Sequence, residues 1–287
     1  MPTPRVAAVH DLSGFGRCSL SIVMPTLSAM GVQCCPLPTA FLSTHTGGFT
    51  GNTFLDLTDQ MAGVTNHWRD EGVTFDAVYT GFMGSREQMT LTADFIRTFK
   101  NESNMIVIDP VMGDHGKPYR TYTPEMCAAM CELAAAADVL TPNRTEAAIL
   151  LGVPYDTVSL DTEDACPRWV RELSMNGSRS VVLTGVSIVP GTVGAVCFDR
   201  GTGEISFVSA PRVDEQFHGT GDLFASVLAG ALVYGRSLKD AAQLAADFVS
   251  LVAAHTAVQD IPGREGVDFE PLLWRLGQKF ESIMTGK

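Results

Sequence analysis

The chain has 287 residues, with 20 lysines and arginines against 32 aspartates and glutamates and a formal net charge of −12. That balance, without any basic run, argues against nucleic acid or an anionic membrane as a partner. An anionic substrate would have to be held by backbone N–H groups and a metal ion. The length is ample for a sizeable core and favours one α/β domain over 1–287.

No apolar run reaches the roughly 18 residues of a membrane span. The opening Met1-Pro2-Thr3-Pro4-Arg5 lacks the apolar length of a signal peptide, so a cytoplasmic protein is expected. Seven cysteines occur without CxxC spacing: Cys34 and Cys35 are adjacent, and Cys127 and Cys131 lie four apart on a helical pattern. Reduced, mostly buried thiols are expected, not a zinc site or a disulfide framework.

In chain order, Val6 to His10 reads as a strand ending in Asp11-Leu12-Ser13-Gly14-Phe15-Gly16-Arg17, where the glycines suit a tight turn and Asp11 and Ser13 can bond a polar ligand. A helix over Cys18 to Met30 and a strand over Val32 to Leu37 follow. Next comes Ser43-Thr44-His45-Thr46-Gly47-Gly48-Phe49, a polar, flexible loop of the kind that closes over ligands. Helical spacing covers Phe54 to Asp70 and Ser85 to Lys100, with a strand at Ala77 to Thr80 between them.

The strand Met105 to Asp109 ends in Asp109-Pro110-Val111-Met112-Gly113-Asp114. These two carboxylates can hold Mg²⁺ directly or through water, and are too few for a calcium loop. After a helix over Pro124 to Ala137 and a strand at Val139 to Leu140, Thr141-Pro142-Asn143-Arg144-Thr145-Glu146 opens a helix over Thr145 to Leu151. Asn143 can cap it, with Glu146 completing a capping-box pattern. A helix over Thr162 to Asn176 and a strand over Ser180 to Leu183 precede a hairpin, Val193 to Phe198 and Glu204 to Ala210. The last third is helical, with Asp222 to Tyr234 and Leu238 to His255 strongly apolar.

This βαβ rhythm implies a mainly parallel sheet covered on both faces, with ligands beyond the carboxyl ends of the strands. His218-Gly219-Thr220-Gly221-Asp222 places one carboxylate in the first turn of an apolar helix. Such a turn can bind a phosphate through its N–H groups while Asp222 takes a proton from a hydroxyl, or it can be an ordinary glycine-rich cap. Walker A, Rossmann GxGxxG and GxSxG patterns are missing, which disfavours a P-loop kinase, a nicotinamide dehydrogenase and an elbow-type hydrolase.

The segments DPVMGDHGKPY, TPNRTEAAILLG and HGTGDLFASVLAG, in that order, with HDLSGFGR and STHTGG before them, resemble the pyridoxal kinase branch of the ribokinase-like superfamily over nearly the whole chain. The resemblance implies a three-layer α/β/α sandwich and ATP-dependent phosphorylation of the 5′-hydroxymethyl group of pyridoxal, pyridoxamine or pyridoxine. It further implies Mg²⁺, a monovalent cation such as K⁺, and a homodimer. Asp222 would be the base, with Gly219, Thr220 and Gly221 as the anion hole. Asp109, Asn143 and Glu146 would organise Mg²⁺ and phosphate. Asp114, Tyr119, Thr184 and Phe217 would lie along the nucleotide, and Asp11, Ser13, His45, Thr46 and Phe82 along the pyridine ring. The branch often carries serine at the position of Asp11 and tyrosine at that of Phe82. A carboxylate at Asp11 could pair with an amine or a protonated ring nitrogen, which would favour pyridoxamine. Rival readings are a hydroxymethylpyrimidine kinase of the same fold, a sugar kinase, and a non-catalytic vitamin-binding protein.

Overall fold

The computed structural model describes residues 2–160, 162 and 164–285. The first half of the chain forms β1 (Arg5–Phe15), α1 (Leu20–Ala29), β2 (Gln33–Thr44), β3 (Phe54–Asp56), α2 (Thr58–Asp70), β4 (Ala77–Thr80), α3 (Arg86–Phe99), β5 (Met105–Ile108), a short ribbon of β6 (Gly113–Asp114) and β7 (Lys117–Pro118), and α4 (Pro124–Ala134). The second half forms β8 (Val139–Leu140), α5 (Arg144–Leu151), α6 (Cys166–Leu173), β9 (Ser180–Val186), β10 (Thr192–Phe198), β11 (Ile205–Pro211), α7 (Thr220–Val233), α8 (Leu238–Ala257) and α9 (Leu273–Thr285).

Among the described residues the main sheet has the order β11-β10-β9-β8-β5-β4-β1-β2-β3. The six strands from β9 to β2 pair in parallel, while β10, β11 and β3 add antiparallel margins. Alternation along the parallel strands divides the core. Val6 and Ala8 face the side of α1, α7 and α8, whereas Ala7 and Val9 face that of α3 and α4. Both faces are buried, so these strands read as unbroken apolar runs. Helix α7 carries the fully covered Leu223, Val227, Leu228 and Ala229 against the sheet. Leu223, Val227 and Leu228 contribute roughly 1.5–3 kcal/mol each, and together with Ala229 they fix where the first turn of the helix points.

Several boundaries differ from the sequence expectation. Strand β1 continues through the supposed turn to Phe15, because Leu12, Ser13 and Phe15 pair with Phe41, Leu42 and Thr44 of β2. The register shifts at Asp11, where Thr39 and Ala40 together oppose one residue, and such a bulge re-aims a side chain. Strand β2 accordingly runs through Ser43 and Thr44, and tolerates Pro36 and Pro38 because β3 reaches only Ala40 to Leu42. Phe54 to Asp56 is a strand, not the start of a helix; Asp56 then accepts the Thr58 N–H at 2.8 Å and starts α2. Helix α6 begins at Cys166, later than the Thr162 start, and Glu163 of that expected span lies outside the described residues.

No disulfide joins the described cysteines. Cys166 and Cys197 are buried and the other five half-buried, fewer buried than expected. No helix of the described residues is long and apolar enough to cross a membrane.

The margin hairpin depends on Gly194, where an added Cβ would lie 1.9 Å from the Val208 carbonyl oxygen and 2.7 Å from Ser209 Cα. Gly194→Ala should therefore lower unfolding stability by about 2 kcal/mol, the scale of a backbone clash in a packed region. Urea unfolding checks this; a midpoint equal to that of the wild type would refute it.

Candidate active site

Helix α7 begins behind Gly219, whose φ of +81° belongs to the left-handed region. A Cβ there would sit 2.2 Å from the Arg17 carbonyl oxygen and 2.5 Å from Ile22 Cδ1, so the turn is pressed onto the loop between β1 and α1. At Gly221 a Cβ would meet nothing within 4 Å, which leaves that side of the first turn open. Asp222, half-buried, follows it. Its Oδ2 accepts the Ser19 backbone N–H at 2.9 Å, and Oδ1 has no hydrogen-bond partner among the described residues. Burial pushes its carboxyl up to about 6; the Ser19 bond opposes the rise and the Asp11 charge adds to it.

Asp11 is 4% exposed and accepts the Ser19 hydroxyl at 2.5 Å and the Ser13 hydroxyl at 3.3 Å. Burial still raises its pKa against those bonds. Asp109, at the end of β5, is buried, and burial followed by the Asp222 charge holds its carboxyl well above the usual range. Glu146, also buried, is raised by burial and then by Asp109, although the N–H groups of Asn143 and Met112 donate to it at 2.8 and 3.2 Å. Glu146, Asp109, Asp222 and Asp11 thus form a series in which each feels the next. Among the described residues no lysine, arginine or histidine pairs with any of the four.

Two buried, mutually repelling carboxylates without a protein cation are an oxygen-only donor set. That chemistry fits Mg²⁺, which takes one or two carboxylates and keeps its remaining waters. No group of three or more metal-ligating side chains occurs among the described residues, so Asp109 and Glu146 would share the ion with water and phosphate.

Around Glu146 the capping box is complete. Asn143 Oδ1 accepts the N–H groups of Thr145 and Glu146 at 2.8 and 3.0 Å, while Asn143 Nδ2 donates to the Gly113 carbonyl at 2.9 Å. Asn143 and Glu146 therefore hold the β6–β7 ribbon that carries Asp114. Tyr119, exposed, follows the ribbon, with its N–H on the Met112 carbonyl at 2.9 Å. Thr184 of β9 donates its N–H and hydroxyl to the carbonyl of Pro142, the residue before this cap.

His45 belongs to a second cluster. Its Nδ1 accepts the Gly47 N–H at 3.1 Å and its Nε2 donates to the Arg264 carbonyl at 2.7 Å, which fixes the Nε2–H tautomer. The ring lies 5.0 Å from those of Phe49 and His218, and a Cβ on Gly16 would meet it at 2.5 Å. Thr46 is exposed on this loop. Phe82 is half-buried beside Tyr122, with ring centroids 6.0 Å apart and its carbonyl 3.5 Å from the Thr39 hydroxyl. Phe217 packs on the α7–α8 core, and its carbonyl accepts the Thr220 hydroxyl at 3.5 Å.

The structure thus joins Asp11, Ser13, Asp222, Asp109, Glu146 and Asn143 through contacts or charge, and keeps His45 and Thr46 on an adjoining loop, with Phe82 and Phe217 packed into the two faces. Sequence reading missed Ser19, which touches two of the carboxylates, and Arg17, whose guanidinium bonds Asp268 at 2.8 Å and Glu270 at 2.9 Å and so ties the β1–α1 loop to a segment far along the chain. Nothing in the local sequence marks Ser19. Arg17 could be suspected only as a lone cation in a glycine-rich turn.

The phosphomethylpyrimidine kinase family profile matches residues 24–262. A Bacteroides thetaiotaomicron protein, assigned by name to the phosphomethylpyrimidine kinases and crystallised with pyridoxal, is 40% identical, with a TM-score of 0.90 and 96% of each chain covered. Pyridoxal kinase from Lactobacillus plantarum is 31% identical, with a TM-score of 0.87 over 97% of this chain and 98% of that one. Pyridoxal kinase of Arabidopsis thaliana is 29% identical over 99% of this chain and 93% of its own length. The chain spans less than half, 46% and 45%, of two further curated relatives, from Caenorhabditis elegans and rice.

The Asp222 carboxyl is raised in the fold, so its contribution to stability is complete below about pH 4 and lost as pH rises through about 6. Asp222→Asn, which removes the buried charge, should stabilise the protein by about 2–3 kcal/mol at pH 8 and hardly at all at pH 4. Denaturant titrations at the two pH values decide it; an equal change at both would show that burial of this charge is not the cause.

Proposed function

The chain belongs to the phosphomethylpyrimidine kinase family, and from that membership we propose that it transfers the γ-phosphoryl group of ATP to the 5′-hydroxymethyl group of pyridoxal, pyridoxamine or pyridoxine. The observation that carries the reading is Asp222, in the first turn of α7, with one carboxylate oxygen fixed and the other open beside the glycine turn. The likeness to the Lactobacillus plantarum pyridoxal kinase over nearly the whole chain supports the acceptor class.

In this mechanism the substrate hydroxyl gives its proton to Asp222 Oδ1 as its oxygen attacks the γ-phosphorus. The new O–P bond forms while the bond from the γ-phosphorus to the β,γ-bridging oxygen breaks and ADP departs. A carboxyl raised to about 6 is deprotonated at neutral pH yet basic enough to serve. The N–H groups of Gly219, Thr220 and Gly221 bind the transferred phosphoryl at the positive end of α7. Asp109 and Glu146 hold Mg²⁺, which when bound offsets charge on the phosphates. Asn143, Asp114, Tyr119, Thr184 and Phe217 border the nucleotide. Asp11, Ser13, His45, Thr46 and Phe82 border the pyridine ring.

We treat 1–287 as one kinase domain of a cytoplasmic homodimer, the association resting on the exposed Phe15, Phe41, Phe54 and Leu55 side chains around the β3 margin. The second reading, a hydroxymethylpyrimidine kinase, is favoured by the matching family's own description.

A panel of the three vitamers and hydroxymethylpyrimidine, followed by ADP formation, should give the highest kcat/KM with a vitamer. Preference for the pyrimidine would establish the second reading, and ligand binding without ADP formation would mark a binding protein. Asp222→Ala should lower kcat by ~10²-fold or more with little change in the KM for ATP. Near-normal turnover would remove Asp222 from the base role.

A further inference from the structure

Ser19 precedes α1 with φ +53° and ψ −133°, a conformation that side chains other than glycine rarely adopt. Backbone held this way is strained and persists where surrounding contacts over-determine it. Here two contacts use the strained geometry. The N–H, turned away from α1, donates to Asp222 Oδ2 at 2.9 Å, and the hydroxyl donates to Asp11 Oδ1 at 2.5 Å. Ser19 is 5% exposed, and its carbonyl accepts the N–H groups of Ile22 and Val23 at 2.9 Å, so the residue is anchored to the first turn of α1. One residue thus sets the spacing between the carboxylates of Asp222 and Asp11.

We propose that Ser19 is the positioning residue of the phosphoryl transfer: its N–H orients Asp222 so that Oδ1 alone faces the acceptor hydroxyl, and its hydroxyl holds Asp11 against the polar group at the other end of the same acceptor. The proposal rests on the reading of the chain as a kinase of a hydroxymethyl acceptor. It assigns acceptor selection to a pair, Asp11 with Ser19, and not to Asp11 alone.

The test uses Ser19→Ala, Ser19→Gly, Asp11→Asn and the Ser19→Ala/Asp11→Asn double variant, with whichever acceptor the wild type phosphorylates fastest. Glycine keeps the N–H and accommodates the backbone, so Ser19→Gly guards against loss through misfolding. Both Ser19 variants should raise the acceptor KM about tenfold, the scale of one lost hydrogen bond to a carboxylate, with the ATP KM within about twofold. The double variant should be no worse than Asp11→Asn. Wild-type acceptor kinetics in both Ser19 variants, or losses that multiply in the double variant, would overturn the link to Asp11. For the other arm, the Ser19 amide proton in ¹⁵N-resolved spectra should move upfield in Asp222→Ala and stay in place in Asp114→Ala. An unmoved amide in Asp222→Ala would overturn the orientation of the base. That measurement needs no turnover, so a wild type that phosphorylates no acceptor would refute the kinase reading while the Ser19–Asp222 contact is judged separately.

Discussion

Four carboxylates lie close together at one end of a parallel sheet, with no cation among the described residues to compensate them, and the surroundings of the site are organised around that excess of negative charge. Glu146, Asp109, Asp222 and Asp11 come from four different parts of the chain; burial raises all four, and a neighbouring carboxylate adds to the rise at Glu146, Asp109 and Asp222. The fold answers with neutral donors. Backbone N–H groups of Met112, Asn143 and Ser19 and the hydroxyls of Ser13, Ser19 and Thr141 stabilise the ionised forms in part. The remaining deficit is what a divalent cation and the N-terminus of α7 are suited to balance.

Much of this was legible in the sequence. The apolar runs of β4, β5 and β8 have no alternation because both sheet faces are covered, and the capping pattern of Asn143 and Glu146 was realised in every bond. Asp222 was marked by the glycines before it and the apolar helix behind it. What escaped reading depended on tertiary pairing. Asp11 and Ser13 interrupt an apolar run and so look like a turn, yet β2 extends alongside and keeps them in a strand with a register shift. Phe54 and Leu55 fit a helical period, yet they pair with β2, and α2 starts only at Thr58, whose N–H donates to the Asp56 carboxylate. A positive φ at a serine has no local signature at all, because it is imposed by contacts with residues 8 and 203 positions away.

The second cluster shows how the same backbone joins the site to a neighbouring loop. Gly16 and Gly47 are the points at which a side chain would strike His45 and His218, so the loops bearing these histidines approach at van der Waals distance. His45 then fastens its own loop to the 264 carbonyl, and Arg264 lies over Phe49, 5.1 Å from the ring centroid. Loop polarity in this region therefore serves attachment between loops.

The bonds from Ser19 to Asp222 and from Arg17 to Asp268 span 203 and 251 positions. Such distant pairings require long loops to close before the contacts reward them. During synthesis the β1–α1 loop emerges long before α7 and the segment after α8, so its strained serine lacks the partner for its N–H and its arginine has no acid to bind. Competence thus arrives as one of the final events of folding, and a ribosome-bound chain, however well its parallel strands have paired, carries a sheet without a working pocket.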